Sequence, residues 1–195
     1  MKVAAAVLAA GLGTRMGMPK PIVPAAGKPL ASWIIETLLA VPLDPVLVIT
    51  GHVATDVEAV LAGYPVQFIR NPLYATGMAS SIKAAVGAVP AGTEGLLIVP
   101  ADMPMILSAT LASLIAEAKP DRIVVPAYHG RRGHPVVFGS RYFGALADLR
   151  GDQGGRPVLE EHAASVVEVP LDDEGILVDI DTKIELDRWL AGQQA

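Results

Sequence analysis

The chain has 195 residues, 52% of them hydrophobic, with a formal net charge of −5 and no cysteine. That length and apolar content suit the core of one α/β domain over residues 1–195, and every apolar run is broken by Gly or Pro well short of the roughly 18 to 20 residues of a membrane span. The acidic balance argues against a nucleic-acid surface, and the lack of cysteine excludes disulfides, thiolate metal sites and cysteine nucleophiles, so metal chemistry must use carboxylates. Met1-Lys2-Val3 leads into a strand pattern and not into an apolar stretch with a cleavage site, so the expectation is a cytoplasmic protein with neither nucleic-acid nor membrane partners. Cations that matter must be local: Arg15, Lys20, Lys28, Arg70, Lys83, Arg131 and Arg132.

The first predicted strand, residues 3–9, runs into Ala9-Ala10-Gly11-Leu12-Gly13-Thr14-Arg15-Met16-Gly17-Met18-Pro19-Lys20. Small residues let backbone N–H groups close on an anion without Cβ clashes, and two fixed cations, Arg15 and Lys20, neutralise charge that grows during phosphoryl or nucleotidyl transfer. The segment reads as a phosphate cradle for a nucleoside triphosphate. It is not a P-loop, because Gly17 is followed by Met18 and Pro19 and the magnesium-holding hydroxyl is missing. It is not the dinucleotide fingerprint either: the glycines fall as Gly11-x-Gly13-x-x-x-Gly17, and the second strand ends through Thr50-Gly51-His52 with no ribose-binding acid.

Helix-like and strand-like periods then alternate: helix 30–40, strand 45–50, helix 54–62, strand 66–70, helix 78–89, strand 96–100, helix 108–118 and strand 122–126. The strands are short, apolar and often β-branched, as strands buried on both faces are. Such alternation predicts right-handed βαβ units in a three-layer α/β/α domain with a mostly parallel, Rossmann-like sheet, and ligands outside the carboxyl ends of its strands. Beyond residue 126 the rhythm changes, with strands predicted at 135–139 and 165–171 and helices at 156–163 and 182–191.

Several loops at the ligand end carry candidate side chains. Arg70-Asn71-Pro72 closes a strand and Gly77-Met78-Ala79-Ser80-Ser81 opens a helix, so hydroxyls and free N–H groups are expected to face the crevice. Ser80 and Ser81 also read as ordinary helix-capping residues. Asp102, just past the apolar run 96–100, stands where a carboxylate can bind a magnesium ion that bridges triphosphate oxygens. Alternation puts Asp179 and Asp181 on one face, and either can complete that metal shell, unless Asp181 simply caps the helix that follows. Gly130-Arg131-Arg132-Gly133-His134-Pro135 reads as an anion pocket or as a solvated basic loop. Arg150-Gly151-Asp152-Gln153-Gly154-Gly155-Arg156-Pro157 is too glycine-rich for an ordinary connection and reads as a lid or substrate clamp. His52, His129 and His162 lie apart, without a ligand spacing.

The cradle resembles the nucleotidyltransferase signature Leu-Ala-Ala-Gly-x-Gly-x-Arg-Met-Gly-x-Pro-Lys at every fixed position. With Pro100-Ala101-Asp102-Met103-Pro104, Asn71-Pro72, Gly77-Met78-Ala79-Ser80-Ser81, Gly133-His134-Pro135-Val136 and the Gly151-Asp152-x-Gly154-x-Arg156 run, nearly the whole chain is similar to the molybdenum cofactor cytidylyltransferase family. The resemblance implies a nucleotide-diphospho-sugar transferase type of fold and transfer of CMP from CTP to the terminal phosphate of molybdopterin, with release of pyrophosphate. It implies Arg15, Lys20 and Asp102 as catalytic residues, nucleotide binding by Ala9, Ala10, Gly11, Arg15 and Lys20, and Mg2+ at Asp102 and Asp181. Pterin contacts are implied near Ser81, His134 and Gly154, with Asn71, Gly77 and Ser80 as further binding residues and a molybdoenzyme as a transient partner. Leu8-Ala9-Ala10-Gly11, where guanine-using relatives tend to show Leu-Ala-Gly-Gly, tilts the base toward cytosine. The alternatives are a GTP-using molybdopterin guanylyltransferase, a sugar- or polyol-phosphate nucleotidyltransferase, to which Gly27-Lys28-Pro29-Leu30 is similar, and, in another class, a non-catalytic nucleotide-binding cofactor chaperone.

Overall fold

The structure is a computed structural model and describes residues 1–11 and 16–192. Its elements follow in the order β1 (Val3–Ala9), β2 (Pro24–Ala25), β3 (Lys28–Pro29), α1 (Leu30–Leu39), β4 (Val46–Thr50), α2 (Ala54–Leu61), β5 (Gln67–Arg70), α3 (Met78–Ala88), β6 (Gly95–Pro100) and α4 (Ser108–Glu117). The remainder comprises β7 (Ile123–Tyr128), β8 (Arg131–Arg132), β9 (Val136–Gly139), α5 (Phe143–Asp148), α6 (Arg156–Glu161), β10 (Val166–Pro170) and α7 (Lys183–Gly192).

The main sheet runs β10-β7-β9-β6-β1-β4-β5, with β8 added to β7, while β2 and β3 form a separate hairpin. Strand β1 lies at its centre, parallel to β4 and β6, with Ala6 opposite both Leu47 and Ile98. Because β1 is mostly alanine, helices can approach both of its faces. Val3, Ala5 and Val7 point into one core with Ile34, Leu38, Val57 and Leu111. Ala4 and Ala6 point into the other with Ile82, Phe138, Leu146 and Val158. Helices α1, α2 and α4 therefore cover one face and α3, α5 and α6 the other, giving the three-layer α/β/α, mostly parallel sheet.

Three features depart from the sequence reading. Strand β5 is half exposed and not buried on both faces, because it has no neighbour on its outer edge. Strand β9 enters antiparallel between β6 and β7 and separates two strands that the alternating pattern would place side by side. Gly139 permits this, since a Cβ there would stand 2.3 Å from the Lys119 carbonyl oxygen. Helix α5 lies where no helix is predicted.

A third apolar cluster joins Val23, Ala25, Leu30, Ile180, Leu186 and Trp189. Trp33 packs edge-on against Trp189, with ring centroids 5.2 Å apart. This cluster fastens α7 to the hairpin that follows Lys20, and so brings the C-terminal segment to the N-terminal loop. Among the described residues, no helix is long and apolar enough to cross a membrane.

Candidate active site

Strands β1 and β6 end side by side, and the Ala101 N–H donates to the Leu8 carbonyl at 3.1 Å, which carries the pairing up to Asp102. Lys20 begins a 3-10 turn, and its Nζ donates to Asp102 Oδ2 at 2.8 Å and to Asp181 Oδ1. The three side chains are 20%, 17% and 29% exposed, so the cluster is partly withdrawn from water yet open to a ligand. Burial alone would lower the Lys20 pKa, but the hydrogen bonds and charges of Asp102 and Asp181 outweigh it and raise the pKa above its ordinary value.

Two contacts hold Asp181 in place. The Ile180 N–H donates to the Asp102 carbonyl at 2.9 Å. Glu185 Oε2 accepts from the Asp181 N–H, the Thr182 N–H and Thr182 Oγ1 at 2.8–2.9 Å, while the Glu185 N–H returns a bond to Thr182 Oγ1. This reciprocal Thr-x-x-Glu box caps α7, so the cap is Thr182 with Glu185, and the Asp181 carboxylate is turned to Lys20 instead. Residues 179–181 form no strand, contrary to the expected alternation.

Asp102 Oδ1 is buried and has no hydrogen-bond partner among the described residues. A carboxylate oxygen in that state suits a hard cation. No group of three His, Cys, Asp or Glu side chains among the described residues can hold a metal alone. Magnesium accepts such a sparse set, since it commonly takes one or two carboxylates and completes its shell with water and substrate phosphates. The residues present fit that ion.

The cluster opens into a cavity of about 580 Å³ lined by Ala9, Ala10, Gly11, Lys20, Gly77, Ser81 and Asp102, together with residues 74–76 and Asp152. A second cavity, of about 360 Å³, is lined by Arg132, His134, Gly154, Arg156 and an apolar set that includes Ile98, Val125, Phe138 and Leu159. The two share Leu8, Met78, Pro100 and Asp152. His134 is exposed at the rim, but protein crowds it at longer range; that desolvation lowers its pKa, against the opposing pull of Asp102 and Asp179.

Most of the expected residues thus converge on one end of the sheet, divided between two chambers. Arg15 lies outside the described residues. Asn71 and Ser80 line neither cavity: Asn71 is 3% exposed and donates through Nδ2 to Ser80 Oγ and Ser81 Oγ, and Ser80 Oγ donates to the Gly77 carbonyl. They brace the wall from behind, because a buried amide must satisfy its own donors. Nor are the first N–H groups of α3 free. Met78 donates to Asp152 Oδ1, Ala79 to the Gly151 carbonyl and Ser80 to the Gly77 carbonyl. Of the two arginines in the basic loop, Arg132 lines the second cavity beside His134, and it is paired with Glu168; Arg70 pairs with Glu58, and Lys28 with Glu36 over the Trp33 ring. Tyr74, Met78 and Asp152 are cavity residues that sequence reasoning did not single out, although Asp152 sits in the glycine-rich run that it flagged.

A family model described as the MobA-like NTP transferase domain matches residues 5–166, most of the chain. Nicotine blue oxidoreductase of Paenarthrobacter nicotinovorans is 31% identical over 194 residues, 94% of each chain. Purine catabolism protein PucB of Bacillus subtilis is 33% identical over 191 residues, 92% of each. The crystal structure of Rv0371c from Mycobacterium tuberculosis H37Rv superposes with a TM-score of 0.87 at 27% identity over 98% of both chains. The same protein complexed with manganese gives 0.81 at 24% identity, covering 98% of this chain and 99% of that one. The family model covers most of the chain and two relatives match it over nearly their full length, so the chain is a nucleotidyltransferase of the MobA-like NTP transferase family.

Proposed function

We propose that the chain transfers CMP from CTP to the terminal phosphate of molybdopterin in the cytoplasm. The observation that carries this reading is the Lys20 ammonium clasped by Asp102 and Asp181 in a cavity that continues into a second, largely apolar one. An oxygen of the acceptor phosphate attacks the α-phosphorus, the bond to the bridging oxygen breaks, and pyrophosphate leaves. The acceptor is already an anion, so no covalent intermediate on the enzyme is needed, and the protein's task is alignment and charge stabilisation. Lys20 has three donors, two of them engaged by the carboxylates, which leaves the third for a phosphate oxygen. Asp102, with Asp181, would hold magnesium, which would supply charge neutralisation for the crowded phosphates. The second chamber, with Phe138, Val125 and Leu159 as walls and His134 and Arg132 at its polar side, suits a ring system that carries an anionic group.

The preference for cytosine rests on Ala10. It is buried at 4% exposure beside Gly51 and Tyr74, so close that a Cβ on Gly51 would stand 2.9 Å from the Ala10 methyl. One methyl in such a wall is worth about 1–3 kcal/mol of discrimination. The expected outcome is a higher kcat/KM for CTP than for GTP with the same acceptor, and a shift toward GTP in Ala10→Gly. Equal values, or a preference for GTP in the wild type, would replace the cytidylyl reading with the guanylyl or sugar-phosphate one.

A further inference from the structure

We propose that Asp152 is a positioning residue: by capping α3 it fastens the strap 150–155 across the junction of the two cavities and so fixes the wall that separates nucleotide from acceptor. The strap meets the first turn of α3 without room for a methyl group. The Met78 N–H donates to Asp152 Oδ1 at 2.9 Å and the Ala79 N–H to the Gly151 carbonyl at 3.1 Å. A Cβ on Gly77 would stand 2.5 Å from the Gly151 oxygen, and one on Gly154 2.9 Å from Met78 Sδ. Gly77, Gly151 and Gly154 have φ of 110°, 70° and 59°, which side chains resist, so the glycines of this run are the ones that such close docking requires. Asp152 and Met78 each line both cavities, and they are the two residues joined by the capping bond.

A carboxylate at this junction would repel phosphates on either side if it stood alone. Pointed at a helix N-terminus, its charge is offset by the positive end of the helix dipole. Asp152 therefore acts through Met78, as a clamp, rather than by touching either substrate. The consequence for catalysis rests on the two-chamber reading of the proposed function, whereas the clamp itself does not.

The test compares Asp152→Asn, whose Oδ1 still accepts from Met78, with Asp152→Ala, and both with Gly77→Ala, whose Cβ meets the Gly151 backbone and forces strap and helix apart while leaving the Asp152 side chain unchanged. Amide hydrogen exchange at Met78 and Ala79 is measured on each full-length protein, together with KM for CTP and for molybdopterin. A lost helix cap is worth about a factor of 5–10. In Asp152→Ala, exchange at Met78 and the KM values for both molybdopterin and CTP should rise by about that factor. Gly77→Ala should do the same and Asp152→Asn should restore both. Unchanged exchange and KM in Asp152→Ala would overturn the proposal. So would an Asp152→Asn protein as impaired as Asp152→Ala with the Met78 amide still protected, since the carboxylate itself would then touch the ligand. If the wild type releases no pyrophosphate with any acceptor, the proposed function fails by itself, and the exchange arm still decides for or against the clamp.

Discussion

Lys20 joins residues from opposite ends of the chain, since Asp102 is 82 positions away and Asp181 is 161. Its raised pKa gives the sign of any pH effect: the ion-pair contribution is complete below the ordinary lysine value of 10.5 and is lost only as pH rises through the elevated value. A loss of activity between pH 6 and 9 therefore does not come from Lys20. Removing one preorganised charge costs roughly 3 kcal/mol at a transition state, so Lys20→Ala should lower turnover by about 10² or more with the fold intact. The same variant leaves Asp102 and Asp181 facing each other without their shared cation, and magnesium should raise its melting temperature more than that of the wild type. Near-normal pyrophosphate release from folded Lys20→Ala would remove the residue from the mechanism. Asp102→Asn should abolish magnesium-dependent turnover, because an amide keeps the shape but loses the charge that holds a hard cation. Full activity of Asp181→Asn at limiting magnesium would leave the metal to Asp102 and the phosphates. Lys20 and Asp102 could be read from the sequence because each ends a recognisable pattern, the glycine-rich loop and the apolar strand. Asp181 stayed open between helix cap and ligand; the Thr182–Glu185 box takes over the capping and the Asp181 carboxylate meets Lys20, so its part in holding a metal is what the Asp181→Asn variant tests.

At the scale of elements, most strands and helices could be placed to within a residue or two, because a buried parallel strand and an amphipathic helix each write their period into a short window. The slot of β9 could not. Residues 135–139 look like a strand by themselves, but which neighbours accept them depends on Gly139 fitting against the carbonyls of Lys119 and Pro120, a contact between distant segments. The same holds for α3, whose serines suggest local capping while the actual cap comes from Asp152, 74 residues on. Strand β9 also lines the second cavity. Phe138 is 2% exposed, packs in the core shared with Ile82 and Leu146, and lines the second cavity. Phe138→Ala should cost about 3–5 kcal/mol, which for a chain of this size lowers the melting temperature by about 6–20 °C. Thermal unfolding checks it, and a shift below about 2 °C would mean that β9 is not locked into the sheet as described.

Across the whole molecule, two large cores hold the sheet between its helices, and the smaller cluster around Trp33, Trp189 and Ile180 draws the ends of the chain together at the ligand face. An acidic chain thereby sets the partly buried Lys20 ammonium at the cavity beside the ends of β1 and β6, a local positive charge of the kind an anionic ligand would meet. That the candidate residues would gather at the strand ends followed from the alternating pattern; that two cavities share a wall there did not, because the strap and α3 meet only in the folded chain. The most direct measurement is pyrophosphate release from CTP with magnesium, with and without molybdopterin, in the wild type and in Asp102→Asn. The expected result is release that depends on molybdopterin in the wild type and is absent from the folded variant. Release that is unchanged in Asp102→Asn, or none from the wild type with any nucleoside triphosphate, would contradict the assignment of nucleotidyl transfer to this site.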